Sequence, residues 1–183
     1  GIFLSILFHE IGHGAVARHY GQRVDELVVG GFYGYARIVG IAPSRRAAMM
    51  VLVAGPLANL ALLFWLWSLL GLPQVSWLGS VGYDETGSTS IYHAPLLAVV
   101  ANELAQLNLV LFALNLLPAF PLDGGRIYRL LLSHLMPQAD GVRIIASAGM
   151  LVGGWFAYRG LSGNMIAGLI GLQIAMLNYE IYQ

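Results

Sequence analysis

Apolar residues in this chain form long, almost unbroken runs that are separated by short polar segments rich in glycine and proline. The runs cover residues 1–17, 47–70, 94–117, 141–158 and 163–182. A helix that crosses the hydrocarbon layer of a membrane needs roughly 20 apolar residues, because each residue adds about 1.5 Å. The pattern therefore predicts an all-α polytopic membrane protein, built as a bundle of about five transmembrane helices.

One segment interrupts this helical pattern. Residues 24–42 are rich in β-branched and aromatic side chains and contain four glycines, which is typical of a short hairpin. Unpaired backbone groups are not tolerated in lipid, so such a hairpin must lie at the interface or against protein. We predict a short membrane-associated β-hairpin directly after the first helix.

Composition supports a membrane location. The 183 residues are 58% hydrophobic and only 10% charged, compared with about 45–50% and about 25% in soluble domains. The formal net charge is zero, so we expect no nucleic-acid partner. Because the chain has no cysteine, disulfides are excluded and a metal ion would need histidine and carboxylate ligands. The first apolar run is already under way at Gly1, so we expect the natural chain to begin further upstream.

Charge placement predicts the orientation in the membrane. The basic residues are nine arginines, and eight of them fall on one side when the five runs cross the bilayer in alternation. Only Arg159 falls on the opposite side. Positive loops stay in the cytoplasm, so we expect an integral multi-pass protein whose site opens towards the cytoplasmic side. We also expect the membrane to be a prokaryotic plasma membrane.

The strongest chemical signal is His9-Glu10-x-x-His13, which lies inside the first apolar run. An offset of four residues places both imidazoles on one helix face. That spacing suits a single Zn²⁺, with Glu10 as general base. Histidine and glutamate are costly within a membrane span, so their presence indicates function.

A catalytic zinc site usually takes three protein ligands. His19, His93 and His134 lie at positions that we interpret as surface or interface. Glu103 is a rival third ligand, but it lies near the outer end of its run. Asp123 is the better candidate, because prolines and glycines break the helix around it and let its carboxylate turn inward.

These motifs together resemble the site-2 protease family of intramembrane zinc metalloproteases. His9-Glu10-x-x-His13 is followed about 110 residues later by Asn115-x-x-Pro118-x-x-Pro121-x-Asp123-Gly124. Residues 55–59, Gly-Pro-Leu-Ala-Asn, match a segment typical of that family, and the hairpin lies where the family carries a membrane-re-entrant β element. The resemblance covers roughly residues 1–135.

The resemblance implies that His9, His13 and Asp123 hold one Zn²⁺ per chain and that Glu10 is the general base. It also implies an endopeptidase whose substrate is a single-pass transmembrane protein, cut within or near its membrane helix. Many members carry PDZ or CBS domains. We expect residues 1–183 to form a single catalytic core domain without them. Nothing in the pattern predicts an oligomeric state.

Other residues are candidates for handling the substrate. The amide of Asn59 either stabilises the oxyanion or forms a hydrogen bond between helices. Asn115 positions the substrate backbone or the turn at Asp123. The hairpin offers an edge to which an unwound substrate strand can add, with Val29, Phe32 and Tyr35 as its candidate contact residues.

Three other functions stay open. A membrane zinc peptidase with a glutamate third ligand would use Glu103 instead of Asp123. An inactive scaffold that binds membrane helices would have no need of Glu10. A metal transporter would need several histidine or carboxylate sites along its spans, whereas the sequence contains one such cluster.

Overall fold

A computed structural model describes residues 1–29, 34–70, 96–161 and 163–183 of the chain. Within these ranges it consists of helices and one antiparallel pair of strands. In chain order they are α1 (Ile2–His19), β1 (Arg23–Val29), β2 (Gly34–Val39), α2 (Arg45–Leu70), α3 (Leu96–Leu114), α4 (Asp123–Leu132), α5 (Gln138–Leu161) and α6 (Met165–Tyr182).

This architecture confirms the predicted fold class. In the described part of the chain, three helical stretches are long and apolar enough to cross a membrane: Arg45–Ser68, Gln138–Leu161 and Met165–Tyr182. Val100–Leu114 within α3 is apolar but shorter. α1 carries histidine, glutamate and arginine, which lower its hydropathy. The number of about five spans stays a prediction.

The apolar pattern did not resolve α4. This ten-residue helix begins at Asp123 and has arginines on its exposed side and glycines on its buried side. The helix is too polar to be predicted as a membrane span. It is also too short for its apolar periodicity to be recognised between the flanking proline-containing segments. α4 is nevertheless the element that brings Asp123 into the protein interior.

α1 and α2 pack closely where α1 has a glycine. A Cβ atom on Gly12 would lie 2.6 Å from the carbonyl oxygen of Ala54 and 2.8 Å from the Cβ of Ala58. The small residue therefore lets the two backbones approach, as is common between membrane helices. α2 then packs on α3 through the buried side chains of Leu62, Leu63, Leu66 and Ala105.

The strands confirm the predicted hairpin. β1 pairs antiparallel with β2 from Arg23 opposite Val39 to Val29 opposite Gly34. At the start of β2, a Cβ atom on Gly34 would lie 2.5 Å from Ile6 Cγ2 and 3.1 Å from Glu10 Cγ. The hairpin therefore rests directly on α1, beside the glutamate of the histidine motif.

α5 and α6 pack against each other through small residues. A Cβ atom on Gly153 would lie 2.5 Å from the backbone nitrogen of Ala175, and one on Gly171 would lie 2.6 Å from the carbonyl oxygen of Gly153. Gly160 and Gly168 approach each other just as closely. The two backbones are therefore in direct contact along much of their length.

Candidate metal centre

α1 presents the three polar residues of its motif to the protein interior. His9, Glu10 and His13 are 7%, 8% and 7% exposed. The two histidines are one helical turn apart, so their rings lie on the same face, with centroids 4.8 Å apart. The predicted arrangement of the motif on one face of a helix is confirmed.

Asp123 reaches the two histidines from α4. Its Oδ2 lies 2.9 Å from His9 Nε2 and 3.1 Å from His13 Nε2, and the two Nε2 atoms are 3.1 Å apart. Among the described residues, this is the one group of three histidine, cysteine or acidic side chains with the spacing of a metal site. The structure therefore brings together the three residues that the sequence predicted as ligands.

Each imidazole is held at its other ring nitrogen. His13 Nδ1 donates to the carbonyl oxygen of Val51, at 2.7 Å. A proton on Nδ1 leaves the Nε2 lone pair available, which is how second contacts fix metal-binding histidines. His9 Nδ1 lies 3.1 Å from Asn59 Nδ2. For His9 Nε2 to bind a metal ion, Nδ1 must carry the proton, so the amide of Asn59 would then present Oδ1, which has no other partner, as the acceptor. Both supporting groups come from α2.

Asn59 is fully buried in this contact. The structure thus contains the hydrogen bond between helices that was one of the two readings of this residue. Its side-chain NH₂ group faces the ring of His9, and its Oδ1 has no hydrogen-bond partner. The oxyanion role of Asn59 stays a prediction.

Gly55 forms one wall of the cluster. A Cβ atom at this position would lie 2.7 Å from His9 Nε2 and 2.6 Å from His13 Cε1, and it would overlap His13 Nε2. Only glycine leaves room for both ligand nitrogens against the backbone of α2. Gly55 therefore contributes to the centre because it has no side chain and leaves space for the two histidine rings.

The residues present fit zinc. Two imidazole nitrogens and one carboxylate oxygen are typical ligands of a catalytic zinc ion, which keeps a further position open. Donors that are about 2.0 Å from a tetrahedral ion are roughly 3.3 Å apart. The observed separations of 2.9, 3.1 and 3.1 Å differ from that by a few tenths of an ångström. Small side-chain shifts suffice to seat the ion.

The segment before α4 fixes the position of Asp123. The Gly124 N–H donates to the carbonyl oxygen of Asn115, at 2.7 Å, which ties the beginning of α4 to the end of α3. The side chain of Asn115 donates to the carbonyl oxygen of Leu111. Asn115 therefore contacts the Asp123 turn through its backbone. Its role towards substrate stays a prediction.

The other sequence candidates that the structure describes are exposed or lie outside the three-residue cluster. Glu103 is exposed on α3, and His19 and His134 are exposed at helix ends, which confirms the surface interpretation of these two histidines. His134 contacts Arg45. His93 and Phe32 lie outside the described residues, as does the side chain of Val29. Tyr35 is 49% exposed on β2.

Sequence reasoning missed two groups that build the centre. The Val51 carbonyl and Gly55 have no reactive side chain, so no motif of chemical groups identifies them. The available signal for Gly55 was its place in the Gly-Pro-Leu-Ala-Asn segment, in which the amide of Asn59 is the one side chain with a hydrogen-bonding group. Its role follows only from the packing of α2 on α1.

Comparisons with known proteins agree with this geometry. Residues 1–155 match the model of peptidase family M50. A zinc metalloprotease of Methanocaldococcus jannaschii is 32% identical over 148 residues, which are 81% of this chain and 38% of that protein. The stage IV sporulation protein FB of Bacillus subtilis is 28% identical over 145 residues, or 78% of this chain and 43% of that protein.

A solved structure shares the fold. The site-2 protease from Methanocaldococcus jannaschii matches with a TM-score of 0.68 and 28% sequence identity, over 100% of this chain and 76% of that one. The chain spans about two fifths of the length of the two curated relatives named above.

Proposed function

Because this chain belongs to peptidase family M50, we propose that it is an intramembrane zinc endopeptidase of the site-2 protease type. Its substrate is a single-pass transmembrane protein, which it cuts within or near the membrane helix. One observation supports this most strongly. Two histidines and an aspartate meet in the interior of a largely apolar helix bundle, and Glu10 is buried on the same helix as the histidines.

The proposed site holds one zinc ion per chain through His9, His13 and Asp123. When bound, Zn²⁺ supplies a Lewis acid that makes water a nucleophile at neutral pH and polarises a carbonyl group. The hydrogen bond from His13 Nδ1 to Val51 and the contact of His9 with Asn59 keep both rings turned towards the cluster. In this proposal the two histidines and Asp123 bind the ion, while Val51 and Asn59 orient the histidine rings.

Glu10 is the proposed general base. It lies between the two ligands in sequence and is buried. A carboxylate there accepts a proton from the attacking water and returns it to the leaving amine of the cleaved peptide. Gly34 of the hairpin packs against the Glu10 side chain, which limits access of bulk solvent from that direction.

A transmembrane helix must unwind locally before it is cut, because its carbonyl groups are held in the hydrogen bonds of the helix. The unwound strand then needs new backbone partners in the membrane. We assign this role to the β1–β2 hairpin, because its second strand begins beside Glu10. Strand addition at a hairpin edge supplies such partners.

We also propose that the protein lies in a prokaryotic membrane with its site open to the cytoplasm. The arginine distribution of the sequence supports a site that opens towards the cytoplasm. The bacterial and archaeal relatives support a prokaryotic membrane. A labelling experiment on single-cysteine variants at Arg126 and Arg159 would test the orientation, because the two positions are assigned to opposite sides.

The proposed activity is tested by cleavage in reconstituted membranes. We expect the purified protein, in liposomes with a single-pass model substrate, to cut within or near the membrane segment, as mapped by mass spectrometry. A zinc chelator should abolish the reaction and added Zn²⁺ should restore it, because activation of the attacking water would depend on the bound ion. Cleavage that persists after verified removal of zinc would contradict the proposal.

The hairpin role has its own test in Tyr35→Pro. Proline removes a backbone donor and distorts β2, so we expect cleavage to fall roughly five- to thirtyfold, the effect of losing one or two hydrogen bonds. Zinc content should not change. Tyr35→Thr keeps the N–H group and the strand propensity and serves as the matched control. Zinc loss in Tyr35→Pro would instead indicate a folding role.

A further inference from the structure

α6 contains a buried polar residue that no motif of the sequence explains. Asn178 is 0% exposed, in a largely apolar helix that is long enough to cross a membrane and whose other polar side chains, Gln173 and Glu180, are exposed. It also lies beyond residues 1–155, the part of the chain that the family model matches. An amide at such depth is costly unless it is fully used.

The amide of Asn178 is fully used by one loop residue and by its own helix. Its Oδ1 accepts from the Phe120 N–H at 3.1 Å, and its Nδ2 donates to the Phe120 carbonyl oxygen at 2.7 Å. The same NH₂ group donates to the carbonyl of Ile174 at 2.8 Å. Both backbone polar groups of Phe120 are therefore paired with a single side chain from α6.

α5 makes room for this contact at Gly149. A Cβ atom on Gly149 would lie 2.7 Å from Asn178 Nδ2 and would overlap Cγ and Oδ1 of the same amide. Any side chain on Gly149 must therefore displace the amide from Phe120. By contrast, a Cβ atom on Gly154, five residues further along α5, has nothing within 4 Å.

Phe120 belongs to the irregular segment that leads from α3 to Asp123 at the beginning of α4. The Leu122 N–H donates to the carbonyl of Ala119, and a Cβ atom on Gly125 would lie 3.1 Å from Phe120 Cδ1. Phe120 thus touches the first turn of α4 at Gly125, two residues after Asp123 in the chain. A backbone segment outside regular helix needs such external partners to keep one conformation.

We propose that Asn178 is a positioning residue for the metal centre: by holding the Phe120 peptide groups, it fixes the Asp123 carboxylate opposite His9 and His13. α6 thereby contributes to zinc binding without touching the ion. This inference rests on the proposed function, since it assigns Asn178 a role towards the same zinc site.

The first test is the zinc affinity of Asn178→Ala, measured in detergent by competition with a chromophoric chelator. We expect the dissociation constant to rise about tenfold or more, the usual effect of removing a group that orients a metal ligand. Gln173→Ala, an exposed polar residue of the same helix, should leave it unchanged. An unchanged dissociation constant in folded Asn178→Ala would overturn the inference.

A purely structural role is separated by two readouts. If Asn178 only joined α6 to the loop, its removal would lower the unfolding temperature of the metal-free protein but leave the affinity of the folded fraction unchanged. Positioning instead alters the ligand geometry, so the absorption bands of the Co²⁺-loaded protein should shift in Asn178→Ala. Identical bands in variant and wild type would count against positioning.

Gly149→Ala provides a second variant that keeps Asn178. We expect it to weaken zinc binding about tenfold, while Gly154→Ala leaves binding unchanged. In the double variant Gly149→Ala/Asn178→Ala, the added methyl group occupies space that the amide has vacated. Its affinity should then be within about twofold of Asn178→Ala alone. Fully multiplicative losses would show that Gly149 does not act through Asn178.

Failure of this inference is distinguishable from failure of the proposed function. If wild-type protein binds no zinc or cuts no transmembrane substrate, the proposed function fails. If wild type binds zinc and cuts substrate while the Asn178 and Gly149 variants bind zinc equally well, only the positioning role is wrong.

Discussion

Glu10→Gln is expected to reduce cleavage of a reconstituted transmembrane substrate by about 10²- to 10⁴-fold, the range that a general base contributes. Glutamine has nearly the same shape, but it cannot accept the proton of the attacking water. The metal ligands His9, His13 and Asp123 are unchanged, so the variant should still bind one zinc ion. The loss of cleavage would therefore result from the missing proton acceptor and not from a failure to bind zinc.

The measurement combines single-turnover cleavage with metal analysis of the same sample. Glu103→Gln is the matched control, because Glu103 is exposed on α3 and should keep normal turnover and zinc content. Normal turnover in Glu10→Gln would end the general-base assignment. A variant that had also lost its zinc would make Glu10 a structural part of the centre.

Asp123→Ala is expected to have the second large effect, a loss of more than about 100-fold in zinc affinity. Changing a group that merely orients a ligand already costs about 10- to 100-fold, and Asp123 is a ligand itself. Its Oδ2 lies about 3 Å from both Nε2 atoms and is the oxygen donor of the three ligand atoms that the described residues bring together. Removing it leaves two histidines, fewer than the three protein ligands usual for catalytic zinc.

Equilibrium dialysis against buffered Zn²⁺ measures this loss, with circular dichroism as a check of helical content. Glu103→Ala is the control that also decides between the two proposed peptidase types. If the aspartate is the third ligand, Glu103→Ala keeps full zinc. Zinc loss in Glu103→Ala together with zinc retention in Asp123→Ala would favour the peptidase with a glutamate ligand.

The sequence predicted the long apolar helices, the hairpin and the convergence of His9, His13 and Asp123, but not α4. These features were accessible because each has a local signal. Long apolar runs need a membrane, and two histidines four residues apart share a helix face. The prolines before Asp123 indicate a break in the helix, and α4 then begins at Asp123, but the expectation that the two glycines also break the helix is wrong, since they lie within α4.

The parts that the sequence did not reveal depend on contacts between distant elements. Gly55 is needed because α2 approaches both histidine rings at this position. A glycine has no side chain whose chemistry would identify this role in the sequence. Asn178 matters because α6 reaches the segment before α4, 58 residues away in the chain. Neither partner is predictable without the packing of the helices, since periodicity identifies the buried face but not its neighbour.

The contact between Gly55 and the two imidazoles also restricts stereochemistry. A planar carbonyl group can be attacked from either of its two faces. The main chain of α2 closes one side of the cluster at Gly55, so the proposed polypeptide substrate would enter from the remaining directions. For the proposed endopeptidase, we therefore expect the scissile bond to present one prochiral face in every turnover, which would also set the direction in which the cut strand runs through the site.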